Sequence, residues 1–226
     1  MAEQVVSLNV GRPTQVPYRG NMISTAIFKY PVEGSVMLRP TGFDGDGQAD
    51  PSVHGGEHKA AYIYSADDYA WWIQELGHPL QHGEFGENLT VTGLRDGDVS
   101  VGDVLRIGDA LVQVASPREP CFKLGIRMGD PRFQARFREA GRMGFYVRVL
   151  EEGEIGVGDA AEIVERAEQS VTIAAFHQVI VDGRNDPDAL RRLASAPTLE
   201  PSWLDWCTRR IADALDESSG QQGGAP

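Results

Sequence analysis

Cysteine is nearly absent. Cys121 and Cys207 are the two in 226 residues. That is too few for a disulfide framework, and they stand too far apart in sequence for a cysteine-rich zinc site. Cationic excess is also absent: 21 Lys and Arg face 33 Asp and Glu, a formal net charge of −12. A chain this acidic has no general electrostatic hold on nucleic acid or on anionic lipid, so neither nucleic acid nor a membrane is expected as a partner. An anionic ligand has to be held by a local group of cations working against the global field. No apolar run approaches the roughly 20 residues that span a bilayer, and Met1-Ala2-Glu3-Gln4 lacks the basic flank and apolar stretch of a signal peptide. The expected compartment is therefore cytoplasmic. What is present is a globular composition, with 41% hydrophobic residues, enough to build a core. The 26 glycines suit many short strands joined by tight turns.

The residues up to about 166 read as strands and turns. Val6, Leu8 and Val10 alternate with polar partners, the period of a half-buried strand. Asn88 to Val91, Asp103 to Ile107, Ala110 to Ala115, Phe145 to Leu150 and Ala160 to Val164 are further strand candidates, with Gly108-Asp109 as a hairpin turn. Two helices interrupt them. Ser65 with Asp68 reads as a capping-box start, Tyr69, Trp72, Ile73 and Leu76 follow at helical spacing, and Gly77 stops the run. Asp130-Pro131 opens the second helix, which Gly141 closes. The fold class this predicts is mainly β, a closed or nearly closed barrel with a few flanking helices over residues 1–166. A small three-helix unit is expected over 167–216, with Asp186-Pro187 and Pro201 as helix starts and Cys207 on an apolar helix face. Residues 217–226 read as a disordered tail.

Three clusters can carry chemistry. The first runs from Gly42 to Lys59. Asp44, Asp46, Gln48 and Asp50 resemble the start of a calcium loop, but Ala49 stands where the sharp-turn glycine belongs and Gly55 where the closing glutamate belongs. His54-Gly55-Gly56-Glu57-His58 fits H-x-x-E-H, so a zinc hydrolase using His54, Glu57 and His58 is an alternative. That pattern works only on a helix, which Gly55-Gly56 would cost roughly 2 kcal/mol. The other reading is a turn in which Gly55 and Gly56 let the backbone approach an anion, flanked by His54 and Lys59. The second cluster is Phe85-Gly86-Glu87-Asn88, where Glu87 stands just before a strand and Asn88 offers a donor and an acceptor. The third is Ser116-Pro117-Arg118-Glu119-Pro120-Cys121-Phe122-Lys123. Two prolines stiffen it, and Arg118 and Lys123 bracket Cys121, which favours the thiolate, the form that binds metal or attacks. Arg142 falls between a helix stop and a strand, where a guanidinium can reach a phosphate.

The order G-F-x-G-D, H-G-G, K-A-x-Y-x-Y, F-G-E-N-L, V-G-D-V-L-x-I-G and P-R-x-P-C-x-K-L, spread from Gly42 to Leu124, resembles the MOSC domain, most closely its bacterial YiiM-type branch. The resemblance implies a β-barrel core and a bound pyranopterin molybdenum cofactor, with Cys121 as the protein ligand to molybdenum. It implies reduction of N-hydroxylated small molecules such as 6-hydroxylaminopurine, with electrons from a separate flavoprotein reductase. It also carries pyridoxal phosphate binding as a family-level property. Within it, Cys121, His54 and Glu87 are the catalytic candidates, and Lys59, Asn88, Arg118, Arg142, Gly55 and Gly56 the cofactor-binding ones. A cofactor carrier, or a sulfur-transfer module forming a persulfide at Cys121, is the alternative without turnover. A homodimer is one expectation for assembly.

Overall fold

The computed structural model describes residues 3–49, 56–168, 171–183 and 186–222, with side chains described as far as Ala214. In chain order the elements are β1 (Val5–Val10), β2 (Thr14–Tyr18), β3 (Asn21–Thr25), β4 (Tyr30–Pro31), β5 (Ser35–Arg39), β6 (Gly42–Phe43), a 3-10 turn (Glu57–Lys59) and β7 (Ala61–Ser65). They continue with α1 (Ala66–Leu76), β8 (Leu89–Val91), β9 (Val104–Ile107), β10 (Ala110–Pro117), α2 (Phe122–Arg127), α3 (Phe133–Glu139), β11 (Phe145–Glu151), β12 (Gly153–Gly156) and β13 (Ala161–Glu165). The helices α4 (Ile173–Val181), α5 (Pro187–Ala194) and α6 (Pro201–Gln222) complete the chain.

Eight strands form one mixed sheet in the order β13-β9-β10-β11-β7-β8-β1-β4. Every pairing in it is antiparallel except β7 with β8, where α1 makes the crossover that a parallel pair needs. β12, β5 and β6 make a second, three-stranded sheet, and β2 pairs with β3 alone. The expected barrel closure is not found: the large sheet ends at β13 on one side and β4 on the other. The β13 end meets the start of β1, the strand next to the β4 edge, at the Gln4–Ala160 bridge, backed by the Val5 N–H donating to Asp159 O, the Gly158 N–H to Val5 O and the Ala161 N–H to Glu3 O. Closure demands one consistent stagger around the ring. Here the register shifts within the β1–β8, β10–β11 and β13–β9 ladders, and β4 is two residues long.

Two apolar clusters hold these layers. The larger takes alternate residues of β10, such as Val112 and Val114, together with Leu8, Ile63, Leu89 and Leu105, and continues into Ile173, Phe176, Leu190, Leu193 and Cys207 of the last three helices. Sheet and C-terminal helices thus share one core. Cys207 is fully buried there, and burial pushes its thiol up to about 11. The second cluster is aromatic: Tyr62, Tyr64, Tyr69, Trp72, Phe85, Phe133 and Phe137, with Leu124 and Met143. It lies among β7, α1, α2 and α3, and α2 begins immediately after Cys121.

The helix starts hold for α1 and α5, whereas α3 begins at Phe133 after an Arg132 N-cap and not at Asp130-Pro131. The Ser65 side chain caps α1 by accepting from the Asp67 N–H, Gly77 ends it in the left-handed conformation, and Asp68 pairs with Arg142 instead of closing a capping box. Asp186 caps α5 ahead of Pro187, as read from the sequence. α6 continues to Gln222, so residues 217–222 of the expected tail are helical backbone. A helix already formed propagates at small cost per residue. Residues 223–226 lie outside the described ones. Among the described residues no helix is long and apolar enough to cross a membrane.

Candidate functional site

An open cleft lies where the loop after β10 faces the ends of β3 and β6. It encloses about 700 Å³ of empty space, open solvent at its mouth included. Cys121, Arg118, Lys59 and Asn88 all line it, joined by Lys29, Asp46, Tyr62, Glu119, Lys123 and Tyr146. Four cations thus meet two carboxylates in a chain whose net charge is −12. This is the local cationic group that an anionic ligand requires.

Arg118 is the deepest of the four. It is 5% exposed, and its guanidinium lies 5.3 Å from the Tyr62 ring centroid and 5.4 Å from that of Phe137. Its backbone N–H donates to Gly144 O at 3.0 Å, and Nη2 donates weakly to Phe85 O at 3.5 Å. Nη1 is buried and has no partner among the described residues. An unpartnered buried donor on a cation is costly, so the arrangement calls for an incoming acceptor. Tyr146, on β11 opposite Ser116, lines the cleft beside Arg118; burial raises its phenol pKa although the Arg118 charge pulls the other way.

Cys121 is half-buried and extended (φ −112°, ψ 170°), with its carbonyl accepting from the Leu124 N–H as α2 begins. Lys59 is held at 3.0 Å by Glu200. That carboxylate also accepts from Ser202 Oγ at 2.8 Å and, more weakly, from Ser116 Oγ at 3.4 Å. The residue just before α6 therefore fixes a lysine of the cleft. Lys29 is buried and lies 2.5 Å from both oxygens of Asp46, which also accepts from Asn88 Nδ2 at 2.9 Å and from the Gly11 N–H at 2.8 Å. Burial pushes the Lys29 ammonium below its ordinary pKa, against the attraction of Asp46.

Other sequence-based candidates fall elsewhere. Glu87 is fully buried outside the cleft lining. Its carboxylate accepts from Tyr69 Oη at 2.5 Å, the Gly83 N–H at 2.7 Å and Thr90 Oγ1 at 2.9 Å, so it organises the turn before β8. Burial raises its pKa, and those bonds oppose the rise. Arg142 does not reach the cleft: it pairs with Asp68 and lies 4.7 Å from the Trp71 ring centroid. Asn88 lines the cleft but is already engaged, with Nδ2 donating to Asn9 O and Asp46 and Oδ1 accepting from the Tyr62 N–H. His54 and Gly55 lie outside the described residues. Gly56 is described, with φ 93° and ψ 167°, a conformation no helix contains. This removes the helical H-x-x-E-H arrangement and with it the zinc hydrolase. No group of three or more His, Cys, Asp or Glu suited to a metal occurs among the described residues. The calcium-like loop is likewise spent on ion pairs, Asp46 with Lys29 and Asp44 with Arg39.

Lys29 and Tyr146 were not singled out by sequence reasoning. Nothing in Phe28-Lys29-Tyr30 marks a buried lysine, and Tyr146 reads as one more strand aromatic.

The MOSC domain family matches residues 50–162. The YflK protein of Bacillus subtilis is 40% identical over 199 residues, covering 88% of this chain and 90% of the relative. A protein named "Reductase" from Gibberella moniliformis is 37% identical over 167 residues, 71% of this chain but 29% of that longer protein. The crystal structure of YiiM from Geobacillus stearothermophilus matches with a TM-score of 0.79 at 34% identity, covering 92% of this chain and 99% of that one. With its residues 50–162 matched by the family model and 88% of its length aligned to a relative 40% identical, the chain belongs to the MOSC-domain family.

Proposed function

We propose that the protein reduces N-hydroxylated compounds such as 6-hydroxylaminopurine, using a pyranopterin molybdenum cofactor held in the cleft with Cys121 as its protein ligand. The observation that carries this reading is the cleft that brings the Cys121 thiol together with the buried, unpartnered Nη1 of Arg118. The donor set fits such a group. A thiolate is a soft ligand, and a lone one suits a metal whose remaining donors arrive with an organic scaffold. When bound, the cofactor supplies the two-electron chemistry that no side chain here provides.

The chain's own residues bind and orient. Arg118 offers Nη1 to an anionic or carbonyl oxygen, and Lys59 and Lys123 add positive charge nearer the mouth. Glu200 keeps Lys59 in one direction. The Lys29–Asp46–Asn88 group fixes the opposite wall. Tyr146, held protonated by burial, presents a hydroxyl at the wall that can hydrogen-bond a bound oxygen. The overall conversion takes an N–OH compound, two electrons and two protons to the N–H compound and water. A separate flavoprotein reductase supplies the electrons, and the fungal relative named Reductase supports the redox part of the reading.

The test uses protein purified from cells that make the cofactor. Wild type is expected to contain molybdenum and, with a chemical reductant, to reduce 6-hydroxylaminopurine. Cys121→Ala is expected to lose turnover by at least about a hundredfold, since a missing ligand removes the reactive centre and not only a contact. A Cys121→Ala protein that keeps both metal and activity would refute the reading.

A further inference from the structure

The hairpin β2–β3 stands apart from the rest of the fold. Among the described residues it pairs with no other strand, and half of its ten strand residues are exposed. A lone two-stranded hairpin is at best marginally stable in water, so its position depends on what it touches. Its base enters the cleft: Thr25, at the end of β3, lines the cleft together with Ala26 and Ile27. Its tip reaches the start of α2, beside the cleft. The Tyr18 ring packs on Phe122 at 4.9 Å between centroids with a 30° tilt, and Phe122, itself outside the cleft lining, lies between Cys121 and Lys123, both cleft residues. Five residues of antiparallel strand extend roughly 17 Å, so base and tip lie well apart.

The tip is built to hold that ring. Arg19 at φ 49° and Gly20 at φ 81° form a two-residue turn of the primed kind that matches strand twist. Positive φ is uncommon for arginine. Here it brings the Arg19 guanidinium over the Tyr18 ring, 5.2 Å from its centroid. Phe122 remains 42% exposed after packing with Tyr18.

We propose that Tyr18 and Phe122 form an aromatic rim, carried by the β2–β3 strap, that selects N-hydroxylated substrates bearing a planar ring. The proposal rests on the reductase reading for the site's position: Phe122 is bonded to the residue that would hold the metal, so a substrate reacting there leaves its ring beside Phe122. Bases stack on aromatic side chains without needing matched hydrogen bonds, and such stacking contributes tenfold or more in affinity. A small N-hydroxyl compound with no ring cannot use the rim.

Phe122→Ala and Tyr18→Ala test this beside wild type, all purified from cofactor-making cells. The ratio of kcat/KM for 6-hydroxylaminopurine to that for hydroxylamine is expected to fall about tenfold in each variant, through KM. Binding of adenine, the product of the ring substrate, is expected to weaken about tenfold by calorimetry. An unchanged ratio or an unchanged adenine affinity overturns the rim. If wild type reduces neither compound, the reductase reading fails and adenine binding decides alone. Weakened binding then upholds the rim, while unchanged or absent binding overturns it.

Discussion

Arg118 is a charge placed where water hardly reaches, between two aromatic rings and with one nitrogen unserved. Were its role only to brace the loop, every donor would be matched, as the Glu87 carboxylate is by its surroundings. Replacement of Arg118 by methionine separates the two roles. Arg118→Met removes the orphaned donor at similar length, so stability of the cofactor-free protein is expected to change by only ~1 kcal/mol. Molybdenum retained through purification is expected to fall at least tenfold. Loss of stability with metal retention intact would mark Arg118 as a brace. Legibility at this scale followed local chemistry. Cys121 and Arg118 share a stiff, proline-bounded stretch, and the sequence shows it. Glu87 looked reactive because a carboxylate next to a glycine suits a rim, but burial and four donors, Tyr69 Oη, the Gly83 and Phe85 N–H groups and Thr90 Oγ1, tie it down. Lys29 was invisible because its meaning comes from Asp46, brought to it by the fold.

Strands and caps were legible where side-chain period and turn chemistry agree. The β9–β10 hairpin around Gly108-Asp109 appears as read, β11 runs one residue longer than its expected range, and β13 is shifted by one residue at both ends. α2 was missed because prolines precede it and Gly125 sits inside it. Its helical state comes from Leu124 packing into the aromatic cluster. Gly144 shows how an element sets the site. At φ 68° it lets β11 approach β7 so closely that an added Cβ would stand 2.4 Å from Ile63 O. Its own carbonyl accepts the Arg118 N–H, and its N–H donates to Asp96. Gly144→Ala is therefore expected to cost about 2 kcal/mol or more in denaturant unfolding, and to loosen the Arg118 loop. A melt identical to wild type would contradict this account of the β7–β11 contact.

Across the whole molecule, two features escaped the sequence for one reason: both depend on residues far apart in the chain. The barrel does not close, because ladder irregularities and short edge strands are set by pairings that periodicity along the chain does not show. The C-terminal helices, expected as a three-helix unit, continue the main core and send Glu200 to Lys59 in the cleft, a pairing no local pattern shows. The molecule as a whole is acidic, and four of its 21 Lys and Arg line one cleft with one thiol. That thiol's bond to molybdenum is the central claim. X-ray absorption fine structure at the molybdenum edge, recorded on loaded wild type and on loaded Cys121→Ser, tests it most directly. Wild type is predicted to show one more sulfur scatterer at bonding distance than the variant, and the same sulfur count in both would contradict the account.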